Sequence, residues 1–195
     1  MSQIHILRAA DYPRMPWKNG AGSTLEIARD QGEGLEEFGW RLSIADIAES
    51  GGFSAFTGYQ RVITVLEGEG MCLQVDGVAS RPLLPFDPFA FAGDSRVECQ
   101  LLAGAIRDFN LIYAPQRYSA RLQWLALERS QRLFTSATTL LLFCAGEALQ
   151  VRLGDADCAL LGRHDCLQVE CGNGLAELQL QAAAGVGCLI ELTSR

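Results

Sequence analysis

The sequence predicts an all-β protein, a barrel or sandwich made from two copies of one β module, and three observations lead there. Short alternating segments recur along the 195 residues, punctuated by turn signals at EGEG (67–70), Asp76-Gly77, Pro82, Pro85, Pro88 and Gly93-Asp94. A weak internal repeat places Gly146 of FCAGEA 78 residues after Gly68 of VLEGEG. Later landmarks keep step: FAGD at 91–94 answers VECG at 169–172 within a one-residue shift, and Leu111-Ile112 answers Leu189-Ile190. Helix has little claim, because even its best candidate, residues 121–132, reads equally well with a strand period. The expected division is a first module over 1–118 and a second over 119–195, with N-terminal strands as a candidate closure for the second.

Taken in order, residues 4–7 read as a short strand followed by a polar loop ending at Pro13. Residues 15–28, MPWKNGAGSTLEIA, begin as a loop presenting polar groups and continue into a strand over 23–29. There the two-residue side-chain period sets Leu25 and Ile27 on one face and Thr24 and Glu26 on the other. Residues 30–39, rich in Gly and Glu, form a loop. Residues 40–45 alternate again, Trp40, Leu42 and Ile44 against Arg41, Ser43 and Ala45, so one face must be polar. GGFSAFTG at 51–58 is a loop carrying two aromatic anchors, Phe53 and Phe56. After it, Arg61, Ile63 and Val65 are in phase on a β-branched run.

Composition narrows the class. At 49% apolar the chain can bury a core, yet its longest apolar runs fall far short of the roughly 18 residues that span a bilayer. The first ten residues lack the basic-then-apolar architecture of a signal, and a soluble cytoplasmic protein is expected. Seven cysteines, an odd number without a CxxC pair, suit reduced buried thiols rather than a disulfide framework. A net charge of −7 argues against nucleic acid, which needs a basic stripe to displace counterions.

The candidate site is a set of polar residues at positions that should be interior. Lys18 is the only lysine in an otherwise arginine-only chain, beside Trp17 and Asn19, and an ammonium is a compact donor of three hydrogen bonds. Arg41 and Ser43 share a strand face, Arg61 opens another strand, and Asp108 and Asn110 of RDFNLIY share a face opposite Phe109 and Leu111. Buried polar groups need partners. If these faces line a barrel lumen, Trp17, Lys18, Asn19, Arg41, Ser43, Arg61, Asp108 and Asn110 make a mixed, mostly cationic pocket suited to a small acidic metabolite. The rival is structural: Arg41 or Arg61 pairs with Asp108 or Glu26 in a satisfied ion pair.

Other chemistries find little support. With two histidines, His5 and His164, the chain cannot assemble a multi-histidine metal site, and His164, Cys158, Cys166 and Cys171 match no standard zinc spacing. No metal or other cofactor is expected. There is no G-x-S-x-G elbow. Gly20-Ala-Gly22 has Leu25 where a dinucleotide loop has its third glycine. Proton transfer by Lys18, Glu26 or Asp108 stays open in principle, since burial moves such pKa values toward neutrality.

Four separated motifs, MPWKNGAGSTLEIA, WRLSIADI, GGFSAFTGYQRVITVLEGEG and AIRDFNLIY, occur in an order that resembles the HutD/Ves family of cupin-like proteins. The resemblance covers essentially the whole chain, with the sharp motifs confined to residues 15–112. It implies a bicupin, two tandem cupin-like jelly-roll β-barrels with the second degenerate and the pocket in the first. It also implies a link to histidine utilisation, whose intermediates urocanate and the formyl or formimino derivatives of glutamate are carboxylates. Metal-dependent cupins carry an HxH motif, whereas here the matching strand reads VLEGEGMCLQV. The leading expectation is therefore a regulatory carboxylate-binding protein with no catalytic residue. The alternative is a metal-independent isomerase, lyase or hydrolase, and a third reading is a structural homodimer joined through exposed sheet edges.

Overall fold

Alternation of aliphatic and polar positions produces strands throughout the described chain. The computed structural model describes residues 3–17, 22–31, 37–154, 159–172 and 174–195. In chain order the first strands are β1 (Gln3–Leu7), β2 (Arg14–Pro16), β3 (Gly22–Arg29), β4 (Trp40–Ile47), β5 (Gly51–Gly52), β6 (Gln60–Glu67), β7 (Met71–Val75), β8 (Val78–Ala79), β9 (Phe89–Ala92), β10 (Val97–Leu101) and β11 (Ile106–Tyr113). They continue as β12 (Tyr118–Leu127), β13 (Ser130–Thr135), β14 (Thr139–Cys144), β15 (Ala148–Leu153), β16 (Ala159–Gly162), β17 (Cys166–Glu170), β18 (Ala176–Gln181) and β19 (Gly185–Ser194). The ambiguous segment 121–132 holds the end of β12, a bend at 128–129 and the start of β13 rather than a helix, and β12 pairs with β19 along its whole length. The single helical turn among the described residues is the 3-10 turn Ala9–Asp11, and no helix is long and apolar enough to cross a membrane.

The chain divides into two units, Pro13–Arg117 and a second that takes Met1–Tyr12 together with Tyr118–Arg195. In the first, one sheet runs β2-β3-β4-β11-β6-β9 and the other β5-β10-β7-β8. In the second, one runs β1-β17-β14-β19-β12 and the other β13-β18-β15-β16. Eight consecutive strands, β4 to β11, thus follow the same pairing order as the next eight, β12 to β19. The repeat landmarks fall on equivalent strands: Gly68 and Gly146 follow β6 and β14, and Leu111 and Leu189 lie on β11 and β19. Residues 3–12 lie outside the first unit, whose expected span of 1–118 includes them, and join the second, for which N-terminal strands are the candidate closure, because β1 forms a five-residue antiparallel ladder with β17. Tyr12 secures that segment by donating from its hydroxyl to the His164 carbonyl at 2.8 Å, and Asp165 accepts from the Ala9 backbone and from Arg8.

Each unit has its own core. In the second, Leu140, Leu142, Leu167, Val169 and Leu189 of one sheet face Leu149, Val151, Leu178 and Leu180 of the other. In the first, Ala45, Ile63, Val65 and Ile106 meet Met71, Leu73, Val97 and Cys99, with Leu83 beneath them. The described cysteines are free thiols. Burial pushes the Cys144 thiol up to about 11 and the Cys99 thiol up to about 12, which keeps both protonated and unreactive at neutral pH.

Candidate functional site

The register of the first unit's larger sheet explains why polar side chains meet. Arg41, Ser43 and Ala45 on β4 stand opposite Ile112, Asn110 and Asp108 on β11. Across β11, those three are opposite Arg61, Ile63 and Val65 on β6. Side chains alternate along a strand, so Arg41, Ser43, Arg61, Asp108 and Asn110 share one face, while Leu42, Ile44, Phe109 and Leu111 are buried on the other. On the polar face Ile63 and Val65 belong to the apolar core, while Arg41, Ser43, Arg61, Asp108 and Asn110 line a cavity of about 630 Å³.

The cavity floor is formed by Arg41, Ser43, Ala45, Arg61, Asp108, Asn110 and Ile112, and its walls by Met15, Pro16, Trp17 and Thr24 on one side and Gly52, Phe53, Ser54 and Phe56 on the other. Six of the eight residues singled out in the sequence, Trp17, Arg41, Ser43, Arg61, Asp108 and Asn110, therefore line one cavity. Lys18 and Asn19 lie outside the described residues, as does Cys158. The walls are more apolar than expected, because the 51–58 loop supplies rings as well as backbone.

Arg61 is the central group. Its Cζ lies 5.4, 5.3 and 5.0 Å from the ring centroids of Phe53, Phe56 and Phe91, a three-sided aromatic cage that favours a cation. Phe91 stands opposite Arg61 in the β6–β9 pairing, and Phe53 and Phe56 come from the neighbouring loop. Nη1 donates to the Ser54 carbonyl at 3.1 Å, while the buried Nε has no hydrogen-bond partner among the described residues. The cage was the part sequence reasoning missed. The aromatic spacing in GGFSAFTG was visible, but which charge it surrounds depends on pairing to β9.

Arg41 behaves differently. Its Nε donates to Glu26 Oε2 at 2.7 Å, and Glu26 also accepts two hydrogen bonds from Arg29, that from Nε at 2.7 Å. A β-bulge between Glu26 and Ala28 brings Arg29 opposite Arg41, so that one carboxylate serves both guanidinium groups. Burial pushes the Glu26 carboxyl up, but hydrogen bonds and charge from Arg29 and Arg41 outweigh it and hold it below the ordinary range. For Arg41 the ion-pair alternative is what the structure contains.

Asp108 has no such partner among the described residues. It is 2% exposed, takes part in none of the described ion pairs, and its Oδ1 has no hydrogen-bond partner there. Burial pushes its carboxyl up to about 7, against the opposing pull of Arg61 on β6 and a backbone hydrogen bond with Ala45 on β4, and with a further upward push from Asp46. Asp108 in turn helps to raise the Cys99 thiol on β10. Asn110 Oδ1 is likewise buried without a described partner. Above them, Trp17 donates from Nε1 to Thr24 at 2.9 Å, and its backbone closes on Gly22. A Cβ at Gly22 would fall 2.2 Å from the Asp46 carbonyl oxygen and 3.0 Å from the Trp17 ring, so only glycine permits this approach.

The geometry describes a cavity with one caged cation and buried acceptors that have no partner among the described residues, on a β scaffold that a family comparison places. A family model described as HutD matches residues 9–189. The chain belongs to the HutD family. A 21.2 kDa protein in the hutC 3′ region of Pseudomonas putida is 63% identical over 195 residues, with 100% of both chains covered. A conserved protein of Pseudomonas aeruginosa PAO1 has a solved structure with a TM-score of 0.97 and 57% identity, covering 98% of this chain and 100% of that one. HutD from Pseudomonas fluorescens SBW25, solved in a formate condition, gives a TM-score of 0.87 at 58% identity, with 99% and 100% covered. The Escherichia coli pirin YhhW, solved with nickel(II), has a TM-score of 0.72 at 10% identity over 98% of this chain and 99% of its own, which shows a shared cupin-like β fold alone.

Proposed function

We propose that this protein is a bicupin that binds a small carboxylate of histidine breakdown in its first barrel and acts in regulation. The observation carrying this reading is Arg61, a buried guanidinium in an aromatic cage whose Nε has no partner among the described residues. With Nη1 anchored to Ser54, the edge formed by Nε and Nη2 remains, and this edge grips a carboxylate through two parallel hydrogen bonds. Arg41, Ser43 and Asn110 lie on the same face to orient the ligand, and Trp17 shields it. We assign Lys18 and Asn19 to the same task from their place in the sequence between Trp17 and Gly22.

The matching strand order of the two units supports the bicupin reading. The second unit lacks the polar motif, since positions equivalent to Asp108 and Asn110 on β11 fall in the apolar run of β19. The link to histidine utilisation rests on the family and on the hutC-region relative. Calorimetric titration with urocanate, glutamate, N-formylglutamate and formiminoglutamate, followed by assay of each mixture for loss of the added compound, tests the proposal. It expects saturable binding without turnover; absence of binding across the panel refutes it. One observation favours the second reading, a metal-independent isomerase, lyase or hydrolase: Asp108, with its carboxyl raised to about 7, is suited to proton transfer. Turnover in the same assay would establish it.

A further inference from the structure

We infer that Asp108 and Asn110 make this pocket selective for an acid that also carries N–H donors, so that it discriminates against carboxylates of the same shape without them. The inference rests on the carboxylate reading and adds what the other end of the ligand must be. The buried polar side-chain atoms without hydrogen-bond partners among the described residues are Arg61 Nε, Asp108 Oδ1 and Asn110 Oδ1, and all three residues line the one cavity. One is a donor and two are acceptors. A complementary ligand therefore brings an acceptor for Arg61 and donors for Asp108 and Asn110.

These acceptors have a defined place. Asp108 and Asn110 are two residues apart on one face of β11, about 7 Å along the strand. Across β6 they are opposite Val65 and Ile63, which offer no side-chain donor; across β4 they are opposite Ala45, whose backbone bonds Asp108, and Ser43, yet Asp108 Oδ1 and Asn110 Oδ1 have no partner among the described residues. Above about pH 7, where Asp108 is ionised, a plain carboxylate satisfies Arg61 but leaves Asp108 Oδ1 buried and unpaired, with like charge brought close to it. An amide, imidazole, amidine or ammonium N–H pairs the empty acceptor, and a cationic one also offsets the like charge. Leaving a buried polar group unpaired is the stronger basis for discrimination, because the cost falls on the wrong ligand alone.

Two matched pairs of acids test this by calorimetry at pH 8: urocanate against cinnamate, which exchanges imidazole for phenyl on the same propenoate, and glutamate against glutarate, which removes the ammonium. In the wild type the N–H member should bind about tenfold or more tighter than its partner. Asp108→Leu should shrink both gaps to about threefold or less while tightening cinnamate and glutarate. Asp108→Asn, which keeps the shape and one acceptor but not the charge, should narrow the glutamate gap more than the urocanate gap. Equal affinities within each wild-type pair, or gaps that survive both substitutions, overturn the inference and leave the carboxylate reading intact. Failure of all four acids to bind overturns this inference, and the carboxylate reading falls with it only if N-formylglutamate and formiminoglutamate fail to bind as well.

Discussion

Replacing Asp108 by Asn should make the protein more stable, by an amount that grows with pH. Asp108 is 2% exposed with no ion-pair partner among the described residues, and burial moves its carboxyl from an ordinary 3.8 to about 7. A group raised on folding contributes fully below its unfolded value, and that contribution is lost as pH rises through the folded one. Between pH 3.8 and about 7 the unfolded chain releases a proton that the folded chain retains, at about 1.4 kcal/mol per pH unit. At pH 8 the ionised carboxylate therefore costs the fold about 4 kcal/mol. The neutral amide of the variant carries no such cost, and after allowance for imperfect replacement we expect a gain of about 2–3 kcal/mol at pH 8, shrinking to under about 1 kcal/mol at pH 4.5. For a chain of this size that is a rise of roughly 4–12 °C in melting temperature at pH 8. Thermal melts of both proteins at pH 4.5, 6, 7 and 8 measure it. A variant less stable than the wild type at pH 8, or a difference independent of pH, would show that the native carboxylate is paired and refute the reasoning.

Three further outcomes follow from the same geometry. Glu26→Gln should destabilise the fold by roughly 2–4 kcal/mol at pH 7, because Arg41 and Arg29 both lose their counter-charge, and denaturant melts should show it. Since the Glu26 carboxyl is held below the ordinary range, its stabilisation is present above the unfolded value near 4.5 and lost as pH falls through the folded one, so the variant should show a flatter acid-side decline. Gly22→Ala should cost about 1–3 kcal/mol and alter tryptophan fluorescence, since the added carbon meets the Asp46 carbonyl oxygen and the Trp17 ring. Tyr12→Phe should cost about 1–2 kcal/mol by removing the hydroxyl that donates to the His164 carbonyl; amide exchange should quicken in Gln3–Leu7 while carboxylate affinity stays unchanged.

Much of the fold was legible because its signals are local. The alternation over Trp40 to Ile47 and over Ile106 to Tyr113 identifies strands and sorts Arg41 and Ser43 from Leu42 and Ile44 without knowledge of their partners. Six site residues could likewise be read as polar groups on otherwise buried faces. What could not be read was pairing across sequence. That Glu26 takes up Arg41 depends on a bulge in β3, which shifts register by one residue and has no signature in TLEIAR. That Phe91 stands beside Arg61 depends on a β6–β9 ladder between segments far apart in the chain. The place of β1 was undetermined for the same reason, since QIHIL suits an edge of either unit and only its ladder with β17 assigns it.

The measurement that bears most directly on the central claim is the affinity of wild type and Arg61→Met for N-formylglutamate and for formate, by calorimetry at pH 7 with the fold checked by circular dichroism. Methionine fills the cage among Phe53, Phe56 and Phe91 without offering a donor. The account predicts saturable wild-type binding of both acids and a loss of about tenfold or more in the folded variant, the contribution of a charge-assisted hydrogen-bonded pair. Equal affinity in the two proteins, or no binding to the wild type, would contradict it.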